Sequence, residues 1–320
     1  MAAASGTTYD VGSWPLTTAP QHEDLMDMVT IIDSFQTPMF SSMPKIRATD
    51  VVHSWAIDAL DATATGSTNA AEGSAFVPSS MTTPVRLWNY TQIFRVDVQV
   101  SDRERVVRPA GIRDFYEHQV MKGFKDIARN IESRFWTIGV ASAQSASGIT
   151  ASTPPRMSGF LGTFGNGAIF TSASASGVVL TADLVALAEK MFTNGAEPDS
   201  LWFAPRSKYQ FFLASSGNTI NARNIAAVDN RLSMNVDIFE SPFGQLFAVI
   251  TDRFIPLTAV ASGAYYMGDR SMAKLAVLRP PQHKPMGKTG DNTQGIVLME
   301  ATLQIDHPSS WGAMTGVINT

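Results

Sequence analysis

Gly287, Lys288 and Thr289 stand together in KPMGKTGDN (284–292), and a glycine–lysine–threonine run is the closing part of a phosphate-binding loop. That loop needs Gly-x-x-x-x-Gly-Lys-Ser/Thr, because its first glycine makes the turn that aims backbone N–H groups at the phosphates. Counting back from Gly287, the first glycine's place is taken by Gln282. Pro280, Pro281 and Pro285 crowd the interval, and proline has no N–H to donate. The context points the same way. GDNTQG, a dense turn signal, follows where a helix should begin, and an alternating strand comes next. The stretch reads as the tip of a long β hairpin, and a nucleotide-binding enzyme is the weakest of the readings.

Other reactive patterns fail on spacing. GFLGTFGNG (159–167) has the wrong glycine intervals for a dinucleotide loop and no strand before it. His22, His53, His118, His283 and His307 are scattered, with no His-x-x-x-His pair to hold a metal, and read as surface or core residues. No Gly-x-Ser-x-Gly elbow is present to expose a serine nucleophile. The chain has no cysteine, which removes disulfides, thiolate zinc sites and thiol nucleophiles together. Asn89-Tyr-Thr fits a glycosylation acceptor, but it falls in a strand of a chain read as cytosolic. The expectation is a protein that is not an enzyme, with no catalytic residue, no cofactor and no metal.

Bulk properties narrow the partners. With 320 residues the chain suits one large or two moderate domains. Its net charge of −4 provides no global basic field for gripping nucleic acid. Charged residues make up only 16%, well below the usual quarter, as expected of a surface largely covered by something else. The opening MAAASGTTYDVG lacks the basic and apolar parts of a signal peptide. No apolar run approaches the roughly 20 residues of a membrane span. A cytosolic product that does not enter a membrane is expected.

The elements explain what a chain without a reactive pocket is built to do. The first twenty residues read as an unanchored arm. HEDLMDMVTIID (22–33) predicts a short amphipathic helix that cannot continue past Pro38. VVHSWAID (51–58) predicts one strand and VRLWNYTQIFRVDVQVS (85–101) a longer one, with Phe94, Val96, Val98 and Val100 on one face. Between them lies a long stretch nearly free of large apolar residues, so the pair reads as a two-stranded arm projecting from the body. A lone pair of strands is marginal in water and needs a surface to lie on.

Residues 111–140 carry the strongest helical signal. Ile112, Phe115, Tyr116, Val120, Phe124, Ile127, Ile131, Phe135 and Ile138 form one stripe, while Arg113, Glu117, Lys122, Asp126, Arg129 and Glu132 form a solvated face. Thirty residues would make a rod of roughly 45 Å. Residues 145–179 read as a linker or surface excursion. TADLVALAEKMFTNG follows as a helix with Thr181 at its N-cap and Gly195 at its stop. Ser200–Ala204 predicts a buried strand, Pro205 opens a helix through Tyr209, Phe212 and Leu213, and VDIFESPFGQLFAVI predicts two strands about a turn. KLAVL and GIVLMEATLQID close the chain as β structure, with Val297, Met299, Ala301, Leu303 and Ile305 alternating.

That order of elements resembles the major capsid protein of tailed bacteriophages, the Hong Kong 97 fold. The wording matches too: DLMDMVTIIDSFQTPMFSSM (24–43), LWNYTQIFRVDVQVS (87–101), FKDIARNIESRFW (124–136), NGAEPDSLWFAP (194–205), MGDRSMAKLAVLRPPQHKPMGKTGD (267–291) and GIVLMEATLQI (295–305) look like one phage capsid subfamily. In that subfamily an Asn-Tyr-Thr-Gln strand and a Lys-Thr-Gly-Asp turn recur. The resemblance implies an α+β fold divided into an N-terminal arm (1–48), an extended loop (49–100), and a peripheral domain with a spine helix and linker (101–179). An axial domain (180–262) and peripheral return strands (263–320) complete it.

The implied function is self-assembly into hexamers and pentamers of an icosahedral head enclosing double-stranded DNA. The implied partners are other copies of the chain, neighbouring capsomers reached by the N-arm and extended loop, the portal protein, scaffolding or decoration proteins where they exist, and packaged DNA through weak non-specific contact. The implied location is the virion, after assembly in the cytoplasm of a bacterial host. Some members weld subunits through an extended-loop lysine, but residues 50–100 contain no lysine, so non-covalent assembly is expected. No long charged helical prodomain precedes the fold, so a separate scaffolding protein, or none, is expected. An encapsulin-like compartment shell is the alternative within the same fold.

Overall fold

The computed structural model describes residues 36–60, 71–75, 82–107, 112–137, 154–165, 167–173, 180–216, 238–256 and 265–315. The helix expected at 22–33 and the arm of the first twenty residues lie outside these ranges. Pro38 does more than end what precedes it: it opens the short helix α1 (Pro38–Ser42), where its missing N–H costs nothing. Strand β1 (Lys45–Arg47) follows. Strands β2 (Val52–Ile57) and β3 (Val85–Tyr90) then pair antiparallel from Val52↔Tyr90 to Ile57↔Val85, the two-stranded arm expected from the sequence.

The strand expected over 85–101 is two strands. It breaks at Thr91, and β4 (Gln92–Ser101) joins a different sheet. A one-turn helix α2 (Asp102–Val106) comes next. The spine helix α3 runs Phe115–Trp136, 22 residues or about 33 Å, shorter than the expected 111–140. It starts at Phe115 because Asp114 caps it, accepting from the N–H of Tyr116 at 2.9 Å and Glu117 at 3.4 Å. Its stripe is as read, with Ile127, Ile131 and Phe135 buried, but Glu132 is buried with them and is not on the solvated face.

The reading of 145–179 as a linker is corrected by its described part. Met157, Phe160, Phe164 and Ile169 are fully or almost fully buried, and the segment forms β5 (Thr163–Phe164), β6 (Gly167–Ala168) and β7 (Phe170–Ala173). Phe160 stacks on Trp311 at 4.3 Å and on Trp136 at 5.1 Å between ring centroids. The preceding residue explains how it gets there. A Cβ on Gly159 would lie 2.6 Å from the Phe135 carbonyl oxygen and 2.7 Å from those of Arg134 and Thr137, so only glycine lets this segment press against the end of α3.

Helix α4 (Thr181–Thr193) has Leu180 at its cap position, so Thr181 is its first residue and not the cap expected. Its stop is as read: the N–H of Gly195 reaches the Phe192 carbonyl at 2.9 Å and that of Ala196 the Met191 carbonyl at 3.0 Å, a Schellman pair. Strand β8 (Ser200–Phe203) leads to α5 (Pro205–Ser216). That helix opens at Pro205 as expected, with Phe211 buried and Tyr209 44% exposed. Strands β9 (Ile238–Glu240) and β10 (Leu246–Thr251) form the expected hairpin. The chain ends through β11 (Tyr265–Gly268), β12 (Ala273–Met286), β13 (Asn292–Ile305) and β14 (Trp311–Thr315).

Two larger sheets organise these strands. One has the order β1-β12-β13-β4 and carries α3 on one face; the other has the order β7-β14-β11-β8-β10-β9. The second sheet therefore draws β7, β11 and β14 from outside 180–262. Strand β13 is the centre of the first: Val297, Met299, Ala301, Leu303 and Ile305 are buried, and so are Leu298, Glu300, Thr302 and Gln304 between them. Both its faces are covered. An aromatic group of Trp136, Phe160, Trp202, Tyr266 and Trp311 joins the end of α3 to the second sheet.

Candidate functional site: the root of the projecting loop

The polar residues of the Asn-Tyr-Thr-Gln run sit where the long strand breaks, and each holds a different part of the body. Asn89 is fully buried. Its amide donates to the Leu303 carbonyl at 2.8 Å on β13 and to the Ser158 carbonyl at 3.3 Å, and its own oxygen accepts from the Ser158 N–H at 2.9 Å. Thr91 donates its hydroxyl to Glu300 Oε1 at 2.8 Å, and Glu300 Oε2 accepts from Arg279 Nε at 2.6 Å. Gln92 accepts from the Met157 N–H at 3.2 Å. On the partner strand His53 Nε2 meets Gln304 Oε1 at 2.5 Å. Alternation would put apolar side chains at these positions. Here buried amides, hydroxyls and a charge-assisted pair fix where the loop leaves the body, and in a low-dielectric interior such bonds admit few alternative geometries.

At the far end of β13 the lysine–threonine turn is a hairpin tip. Strands β12 and β13 pair out to Met286↔Gln294, and no helix follows. Lys288 donates to Asp102 and Thr289 accepts from Gln294, so the tip's polar groups bind their own neighbours. The Lys288 bond, and then one at 2.8 Å from the Thr293 hydroxyl, lower the Asp102 pKa. The geometry excludes the phosphate-loop reading of Gly287–Thr289.

The described histidines do not converge. His53 belongs to the loop root, His283 meets the Tyr116 hydroxyl at 2.9 Å, and His307 accepts from the Ser309 N–H at 3.3 Å. His118 lies on α3, and His22 is outside the described residues. Gly295 makes the His283 contact feasible, since a Cβ there would lie 2.2 Å from the Tyr116 hydroxyl and 2.5 Å from His283 Nε2. Among the described residues no group of three or more His, Cys, Asp or Glu is placed to hold a metal. None of their helices is long and apolar enough to cross a membrane.

A second anchor holds the arm. Glu132 of α3 is fully buried, and its two carboxylate oxygens accept from successive N–H groups at the start of α1, Met39 at 2.8 Å and Phe40 at 2.7 Å. These are donors that a helix start leaves without intrahelical partners. Beside it Asp252, just past β10, accepts from Trp136 Nε1 at 2.6 Å and from the Phe254 N–H at 2.8 Å. Burial, the hydrogen bond to Asp252 and the Asp252 charge push Glu132 up to about 9. No periodicity signal could have found this pair. One glutamate among the mixed charges of a helix looks solvated until its tertiary neighbours are known.

Comparison with known proteins places these anchors in context. The model of the SU10 major capsid protein family matches residues 4–317. No curated protein matches the sequence. Among solved structures, the capsid asymmetric unit of cyanophage A-1(L) superposes with a TM-score of 0.69 at 11% identity, covering 94% of this chain and 98% of that one. A Microbacterium phage Oxtober96 chain gives 0.59 at 14% identity over 93% and 96% of the two chains. The capsid of a native GTA particle gives 0.60 at 13% over 93% and 94%. At these identities the likeness is one of fold, and that fold is the Hong Kong 97 type.

Proposed function

Because this chain belongs to the SU10 major capsid protein family, we propose that copies of it join into hexamers and pentamers and close an icosahedral phage head around double-stranded DNA, without covalent cross-links. As a phage major capsid protein it is a structural component of the virion. The observation that carries the finer reading is the loop root: a limb marginal by itself is fastened to the body through Asn89, Thr91 and His53. A limb so fixed at its base, with Trp55 and Leu87 packed on the body, is suited to carry its outer part across a neighbouring subunit. We assign the limbs as an N-arm (1–48) and an extended loop (49–100). The bodies are a peripheral domain (101–179 with 263–320) and an axial domain (180–262) to which β7, β11 and β14 lend strands.

Stability of the shell would then come from many repeated limb contacts, whose summed area exceeds a standard interface of about 1,600 Å². The near-neutral net charge of −4 suits an inner wall that touches packaged DNA weakly and without sequence preference. The portal protein, and scaffolding or decoration proteins where the phage encodes them, complete the set of partners, and assembly takes place in the bacterial cytoplasm. Negative-stain microscopy of the purified chain, alone and with the phage's scaffolding protein where one is encoded, tests the reading. Closed shells or rings of five and six subunits are expected, and a monodisperse monomer under every assembly condition would overturn it. Double-stranded DNA in shells from infected cells supports a phage head; enzyme cargo in its place would select a compartment shell.

A further inference from the structure

The two larger sheets end on four edge strands, and three of these are short: β1 and β9 have three residues each and β7 has four. Past β1, the outer side of β12 is guarded in another way. Pro280, Pro281 and Pro285 withdraw backbone donors there, and the register shifts between Val277 and Arg279 and again between Arg279 and Gln282. Short strands, prolines and bulges are devices that keep a sheet edge from pairing with another chain. Strand β4 has none of them. It runs ten residues, Gln92–Ser101, without proline, glycine or lysine, and its register against β13 is unbroken. The Asp102 N–H reaches the Asp291 carbonyl at 3.2 Å, one step beyond the Ser101↔Asn292 pair. By the alternation of an antiparallel ladder, the even-numbered residues of β4 therefore bond to β13, while Ile93, Arg95, Asp97 and Gln99 direct N–H and C=O outward. Among the described residues no strand pairs with that side. The side chains of the same four residues are exposed, whereas Phe94, Val98 and Val100 on the other face are buried.

The order of charges selects the partner. Arg95 and Asp97 share the exposed face, with Arg95 Nη2 donating to Asp97 Oδ2 at 2.6 Å. An edge carrying one sign of charge repels a second copy of itself. A cation and an anion two residues apart do the opposite. When two copies of β4 run antiparallel about Val96, Arg95 of each falls opposite Asp97 of the other, and Ile93 opposite Gln99. Opposite charges directly across a strand pair stabilise it and like charges destabilise it. A slip of two residues in one direction sets Arg95 against Arg95, and in the other Asp97 against Asp97, so the charges also fix the register. We propose that β4 is a docking edge for a second copy of this chain, joined β4 to β4 about a two-fold axis between their Val96 residues. Four strands from each copy then make one sheet in the order β1-β12-β13-β4-β4-β13-β12-β1. The interface is isologous, as a two-fold requires. It links two bodies directly, apart from any contact made by the limbs, and it rests on strand geometry and charge order, not on the shell reading.

Reciprocal charge reversal in the full-length unassembled chain tests this, with self-association followed by sedimentation equilibrium. The side chains of Arg95 and Asp97 are 58% and 59% exposed, so reversal should leave the fold intact, which circular dichroism checks. The wild type should form dimers that weaken as salt rises. Arg95→Asp alone and Asp97→Arg alone should each weaken dimerisation about tenfold. Mixing the two variants should restore it, since each then meets the opposite sign, and the double exchange Arg95→Asp/Asp97→Arg should pair with itself like the wild type. An ion pair that matters only within its own chain gives no recovery on mixing. Because the chain has no cysteine of its own, Gln99→Cys supplies a single attachment point for a nitroxide that reads the register. The two labelled positions should lie about 20 Å apart in the dimer, six residues along the strands at about 3.4 Å each. A chain monomeric at every concentration overturns the docking edge. So do reversals without effect, mixing without recovery, or a label distance far from that value. Dimers that show the reciprocal recovery in a chain that never closes shells leave the docking edge standing and remove the capsid reading.

Discussion

Asn89 occupies a position where no similar side chain can substitute. It must donate to the Leu303 carbonyl and accept from the Ser158 N–H at once, which an amide does through two separate atoms, whereas an ionised carboxylate has no proton to donate. Asn89→Ala should lower stability by about 2–3 kcal/mol, the scale of losing two buried hydrogen bonds. Asn89→Asp keeps the shape but sets a carboxylate against the Leu303 carbonyl. A buried carboxyl placed there is driven toward its neutral form. Its folded pKa then lies above the unfolded value of about 3.9, so its stability is greatest in acid and falls as pH rises. Asn89→Asp should therefore melt below Asn89→Ala at pH 8 and recover relative to it near pH 4, measured by denaturant titration at both pH values. Equal pH dependence in the two variants would mean that the amide's donor role is unimportant.

At the scale of elements, the sequence disclosed what periodicity encodes and hid what a single tertiary contact decides. The stripe through Ile127, Ile131 and Phe135 and the alternation from Phe94 to Val100 follow from burial on one side, and both stand in the structure. The split at Thr91 was invisible because β3 and β4 are each good strands, and only their pairing with β2 and β13 shows that they belong to different sheets. Phe160 was missed because glycines and serines around it mask an aromatic residue that packs through the gap left by Gly159. Glu132 was misplaced because its partners are backbone donors 92 and 93 residues away.

The extended loop is where legible sequence and assembly meet. Ile57 and Val85 are register partners at the outermost pair of β2 and β3, so an Asn-Gly turn can replace residues 58–84 without disturbing the root. The shortened chain should fold, with circular dichroism and melting close to the full-length protein, yet fail to close shells. Shells of normal size from that variant would remove the loop from the assembly mechanism.

For the whole molecule, the question is what holds many copies together under load. A covalent weld through the extended loop needs an amine on it, and residues 50–100 supply none. The loop is fixed at its base by buried hydrogen bonds of Asn89 and Thr91, the latter to the carboxylate of the Arg279–Glu300 ion pair. On the proposed assembly, its outer part would rest on contacts with the next subunit. Non-covalent shells of this kind gain strength by repetition. Each limb contact is modest, but one subunit cannot leave without breaking contacts on several sides, so dissociation is slow even where each interface is weak. Shells boiled in detergent should run as a single monomer band on a denaturing gel, while intact shells resist dilution. A ladder of multimers surviving the boil would show that an amine from another part of the chain makes the weld, and would require a carboxyl or amide partner within reach of it.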